Sequence, residues 1–145
     1  MRFDWQVPAE MLMLVGDRDS WLPLYGQLAV FEKCPGETKK LMILKRADHQ
    51  HFVDDMEACH EWFRDFTVTL AEKDETPNGP PWGAVAQIIP PFETLMPEAE
   101  AQTILGGFIT QHMNTHLKGF GAASDVAALR RTARERDLGV YVFGA

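Results

Sequence analysis

The sequence predicts an α/β fold built on a partial, mostly parallel sheet with a helical C-terminal arm, and three features carry that prediction. Two short apolar runs, MLMLV at 11–15 and LMIL at 41–44, lack polar alternation. Strands covered by helices on both faces read this way. Between the runs, Leu24, Leu28 and Phe31 recur at helical spacing, which makes a strand–helix–strand unit with a right-handed crossover. A long amphipathic stretch follows the second run and supplies a cover for the sheet.

Each element has its own signals. Pro8 suits a strand entry, where a missing N–H is tolerated, and Gly16 ends the first run. Pro23 fits the first turn of the helix that Cys34-Pro35-Gly36 terminates. From about 52 to 73, Val53, Met56, Cys59, Phe63, Phe66 and Leu70 form one stripe at three- and four-residue steps. Asp54, Asp55 and Glu57 in its first turn favour the helix dipole. Six of the nine prolines then fall between Pro77 and Pro97, the mark of a linker or an extended arm. A helix over about 97–117 uses Ile104, Leu105, Phe108, Ile109 and Met113, and Gly119 and Gly121 stop it. Ser124-Asp125 cap a short basic helix through Arg136, and LGVYVF at 138–143 reads as one more strand. The chain thus divides into 1–75, a Pro-rich linker or arm at 76–96, and a helical arm at 97–145.

Composition narrows the class. The 145 residues are one domain's worth of chain, and 46% hydrophobic with 24% charged residues is ordinary for a soluble globular protein. No apolar run approaches the roughly 20 residues that cross a bilayer, so no membrane span is expected. The first residues, MRFDWQVPAE, hold charges and a Trp in place of a signal-peptide pattern. Fourteen Lys+Arg against 21 Asp+Glu leave a net charge of -7, which gives nucleic-acid binding no electrostatic support. Cys34 and Cys59 show neither CxxC spacing nor a disulfide framework. Free thiols in a reducing cytoplasm are the expectation. Two strands and a third candidate are few for a parallel sheet and leave long edges unpaired. The sheet is therefore expected to be completed by another copy, as an intertwined homodimer, or by a missing N-terminal half.

The segment Gly16-Asp17-Arg18-Asp19-Ser20-Trp21-Leu22-Pro23 is answered, 30 residues after Asp19, by Ala47-Asp48-His49-Gln50-His51-Phe52. Each places chemistry-bearing residues in the loop at the C-terminal end of a strand, where open α/β sheets collect ligands and catalytic groups. A carboxylate and an imidazole on adjacent strand ends can meet, and the carboxylate then holds the ring as a general base. On these residues the chain resembles the C-terminal part of the α/β-hydrolase family, its esterase and dienelactone-hydrolase-like members. Gly16, Asp19, Leu22 and Pro23 match the family's triad-acid pattern, and Ala47, His49 and Phe52 its triad-base pattern, over about residues 5–70. The resemblance implies a sheet of α/β-hydrolase type, Asp19 as catalytic acid, His49 as catalytic base, and carboxylic ester or lactone hydrolysis on a small acyl or lactone ligand.

The chain departs from that family at the nucleophile. Its only serines, Ser20 and Ser124, lack the G-x-S-x-G glycines. Cys34 precedes a Pro-Gly turn, and Cys59 lies on the helical stripe. An acid–base pair alone has no acyl-transfer mechanism. The expectation is a hydrolase fragment or derivative that needs a nucleophile from outside. The alternative is a non-catalytic module that binds a small ligand or a protein in its dimer cleft. Asp17 is the rival acid. His49-Gln50-His51 with Asp54 resembles a metal pattern, but the helix starting near Phe52 turns Asp54 away. His112 and His116, four apart, read as packed or interface histidines, and no metal or cofactor is assigned. Trp5, Trp21, Trp62 and Trp82 read as packing residues, with Trp21 placed to line a pocket mouth. Arg130, Arg131, Arg134 and Arg136 read as a solvated face.

Overall fold

In the computed structural model, residues 10–36, 39–73, 81–118, 126–135 and 137–144 are described. Strand β1 (Met11–Gly16) leads into helix α1 (Leu24–Lys33), which begins at Pro23 and ends at Cys34. Strand β2 (Lys39–Leu44) follows, then a 3-10 turn (His49–Phe52) and helix α2 (Met56–Lys73). Helix α3 (Trp82–Ile88), a short turn at Phe92–Thr94, α4 (Glu98–Leu117), α5 (Val126–Glu135) and β3 (Val140–Gly144) complete the order. The expected features at Trp5, Pro8, residues 76–80, Gly119, Gly121, Ser124-Asp125 and Arg136 lie outside the described residues.

The three strands lie in the order β1-β2-β3. β1 and β2 are parallel, Met11 opposite Lys39 through Gly16 opposite Leu44. β3 runs antiparallel to β2, from Leu44–Val140 to Lys40–Gly144. This overturns the mostly parallel sheet of α/β-hydrolase type: the sheet is small and mixed, and helices make up 60% of the described structure. The reason lies in the connection. An apolar run encodes burial but not direction, and α5 is followed by a tight return. Leu138 N–H closes the helix on Ala133 O, and Lys45 N–H donates to Gly139 O at 2.7 Å. β3 therefore enters beside the end of β2 and runs back along its free edge.

The side chains of β2 alternate between two cores. Leu41 and Ile43 join Val15 beneath Leu24, Leu28 and Phe31 of α1. Met42 and Leu44 face the larger core with Met56, Phe92, Met96, Ile104, Leu105, Phe108, Leu129, Ala133, Val140 and Val142. The segment expected as a C-terminal arm is thus folded against the sheet, because the apolar faces of α4 and α5 are the cover its second side needs. On β3, Tyr141 and Phe143 point to the α1 side and stay exposed. Among the described residues, no helix is long and apolar enough to cross a membrane.

The buried stripe of α2 differs from its apolar pattern. Met56, His60 and Thr67 are its buried residues, whereas Val53 and Phe66 are exposed. Thr67 satisfies its hydroxyl by donating to Arg64 O at 2.8 Å. His60 is buried for a reason found in the site.

Candidate active site

The loops that follow β1 and β2 are joined through their backbones. Asp17 N–H donates to Leu44 O at 3.0 Å and Arg18 N–H to Ala47 O at 2.9 Å. Gly16 allows this approach: a Cβ there would collide with the Ala47 carbonyl. Parallel pairing sets both strand ends at the same edge, and the backbone bonds draw the two loops together.

Asp19 and His49 meet at this junction. Asp19 Oδ1 accepts N–H bonds from Trp21 at 2.9 Å and Leu22 at 2.8 Å, so the carboxylate is fixed by the turn that leads into α1. Its other oxygen, Oδ2, lies 3.1 Å from His49 Nδ1. The Asp19 side chain is only 4% exposed while that of His49 is 47% exposed. Nε2 of His49 has no hydrogen-bond partner among the described residues, so one ring nitrogen is held and the other is open. Asp17, the rival acid, is exposed.

A second assembly begins one residue earlier, and the sequence reading passed over its centre. Asp48 is buried and caps the 3-10 turn by accepting from Gln50 N–H at 3.0 Å. Asp48 Oδ1 lies 2.7 Å from His51 Nδ1, and Oδ2 lies 2.5 Å from His60 Nδ1. The far nitrogens also face oxygens, His51 Nε2 toward Met96 O at 3.0 Å and His60 Nε2 toward Pro90 O at 2.8 Å. Every ring nitrogen thus has a partner in a site closed to solvent, and His51 Nδ1 also accepts from the Asp48 N–H at 3.1 Å. Phe92 stacks on His51 and tilts against His60.

The electrostatics follow from this geometry. Burial by itself would raise the Asp48 carboxyl, but the hydrogen bonds and charge of His51 and His60 hold it well below the usual carboxylate range. Burial likewise opposes the His60 imidazolium. The bond to Asp48, its charge, the Pro90 carbonyl and Glu61 together raise the ring above the ordinary histidine value. The cluster staples the strand-end loop to the 90–96 segment and fixes the backbone on both sides of His49.

The other singled-out residues have their own places. His51 belongs to the buried cluster and Asp54 is exposed. Among the described residues, no group of three or more His, Cys, Asp or Glu is placed to hold a metal ion. His112 and His116, in the second half of α4, lie with ring centroids 4.5 Å apart and tilted against each other. Burial, then the His116 and Lys40 charges, lower His112 against the opposing pull of Glu10. Arg130 Nε donates to Val142 O at 2.7 Å, fixing α5 to β3. Trp21 packs on Phe63 and Trp82. His60 left a faint sequence signal, a histidine inside an otherwise apolar stripe.

Compared with family models, with curated proteins and with solved structures, the chain matches none.

Proposed function

We propose that Asp19 and His49 form the acid–base half of a hydrolytic site for carboxylic esters or lactones, in a chain derived from the α/β hydrolases. The nucleophile is water, or a hydroxyl or thiol brought by another molecule. One observation carries this reading: a shielded carboxylate 3.1 Å from His49 Nδ1 with Nε2 left open. In this arrangement the carboxylate selects the tautomer with the proton on Nδ1 and leaves Nε2 as the base.

Nε2 takes the proton of the attacking water, hydroxyl or thiol as its oxygen or sulfur adds to the ester carbonyl. The acyl C–O bond then breaks, and Nε2 returns the proton to the departing alkoxide. With water as the nucleophile the products are a carboxylic acid and an alcohol, or a hydroxy acid from a lactone; an external hydroxyl or thiol leaves a new ester or thioester beside the alcohol. Asp19 stabilises the imidazolium between the two transfers. Two free cysteines support a reducing, cytoplasmic setting for this chemistry.

The test is release of p-nitrophenol from short-chain p-nitrophenyl esters, with water alone and with a small thiol or alcohol added. General-base assistance predicts release faster than in His49→Ala by about 10²-fold. Equal rates under all three conditions overturn the reading.

A second reading, a non-catalytic ligand-binding or protein-binding module built as an intertwined homodimer, has one observation in its favour. Among the described residues, no hydroxyl or thiol is hydrogen-bonded to His49. A one-protomer mass in solution at micromolar concentration rules out the homodimer.

A further inference from the structure

The acid loop carries more than the carboxylate. Trp21 hangs its backbone N–H on Asp19 Oδ1, so the main chain that bears its ring is fixed by the same side chain that holds His49. That ring lies 5.2 Å from Phe63, edge to face, and 5.9 Å from Trp82. Phe66 meets Trp82 at 6.3 Å and stacks on Trp62 at 5.4 Å. Five rings from the acid loop, α2 and α3 form one continuous apolar surface. It is not closed off: Trp21 is 37%, Phe66 41% and Trp62 65% exposed. Contiguous exposed apolar patches of this kind mark binding surfaces.

We infer that this aromatic surface is the acyl-binding platform of the Asp19–His49 site and that it selects neutral esters with an aromatic acyl group, an inference that rests on the hydrolytic reading above. The path from dyad to platform is covalent and short, two residues from Asp19 to Trp21. The rings are already set at the edge-to-face and tilted geometries in which aromatic side chains attract one another, and an added planar ring extends the array. Charge points the same way. The buried Asp19 carboxylate and the net charge of -7 favour a neutral ester over an anionic one and help expel the carboxylate product. Trp21 is then a specificity-determining residue, acting on binding of the acyl group rather than on proton transfer.

Two measurements test this separately from the dyad. The first follows the indole N–H resonances of Trp21 and Trp82, assigned with Trp→Phe variants, as phenylacetamide or acetamide is added to the full chain and to His49→Ala. Both resonances shift with phenylacetamide and not with acetamide, in both proteins; the absence of that difference overturns the platform. The second is the ratio of kcat/KM for methyl phenylacetate over methyl acetate. Trp21→Leu lowers this ratio at least five-fold, and so does Phe66→Leu if the first variant fails to fold. An unchanged ratio overturns the assignment. Indole shifts without His49-dependent hydrolysis remove the dyad reading and leave the platform, whereas His49-dependent hydrolysis without aromatic preference removes the platform alone.

Discussion

Two Asp–His assemblies meet at consecutive residues, Asp48 and His49, in opposite surroundings. In the buried one, Asp48 serves two imidazoles whose remaining nitrogens face backbone carbonyls, so every polar valence is used inside the fold. In the exposed one, Asp19 serves one imidazole and that ring keeps a nitrogen open. The residue types are the same. What separates a structural staple from a candidate catalytic base is whether the second nitrogen is committed. A pair buried on both sides is costly to break because the surviving partner is stranded, and a pair whose imidazole is half exposed is cheaper to break and available for chemistry.

The largest expected effect breaks the buried side. Asp48→Ala strands His51 and His60 without their acceptor and should cost about 3–5 kcal/mol in urea denaturation. Asp19→Ala removes the turn-capping oxygen and the contact to the half-exposed His49 ring, and should cost about 1 kcal/mol. Similar losses from the two substitutions would erase the distinction. Asp19→Asn then sharpens the exposed side. It should lower His49-dependent ester hydrolysis by about 10²-fold, with stability within about 0.5 kcal/mol of the parent, as read by initial rates beside a melt. Gly16→Ala attacks the junction that both assemblies share. The added methyl pushes against the Ala47 carbonyl, and a loss of about 1–3 kcal/mol together with the hydrolysis is expected.

The smallest effect is the pH dependence of the buried cluster. His60 is raised in the folded state, so its contribution is fully present below the unfolded value of about 6.5 and is lost as pH rises through the folded one. Asp48 is depressed, so its contribution is present above the unfolded value of about 3.9 and is lost as pH falls toward the folded one. The cluster therefore supports the fold best between those two values. In a series of melts, His60→Gln should flatten the decline above the upper value; an unaltered slope would show that His60 does not titrate with folding.

The exposed dyad was legible because its parts are local. Gly16, Asp19 and Pro23 mark one strand-end loop, Ala47 and His49 the next, and parallel pairing does the rest. The buried cluster was not, because its members come from elsewhere: Asp48 meets His60 from α2, and the far nitrogens of His51 and His60 face the carbonyls of Met96 and Pro90. Such contacts leave no period in the sequence. The same holds for β3. LGVYVF signals a strand, but its antiparallel direction follows from the return after α5, where Gly139 and Lys45 meet. On α2 the apolar stripe pointed to a covered face, yet His60 and Thr67 fill buried positions because each has a partner. Val53 and Phe66 are left outside. Periodicity reports where apolar groups recur and cannot see a hydrogen bond that makes a polar group admissible in a core.

The pairing of β2 with β3 also sets an order of events. The partners run from Leu44–Val140 to Lys40–Gly144, a loop of about a hundred residues, and such non-local closure is slow compared with the neighbouring β1–β2 unit. While the polypeptide is being made from its N-terminus, β1, α1 and β2 emerge well before β3, and the central strand carries a bare edge until Val140–Gly144 arrives. That edge, KKLMIL, is apolar over four consecutive positions, and it is the segment through which two half-made chains would join. Loss of Val140–Gly144 would therefore show itself less as a weaker melt than as protein that never stays in solution.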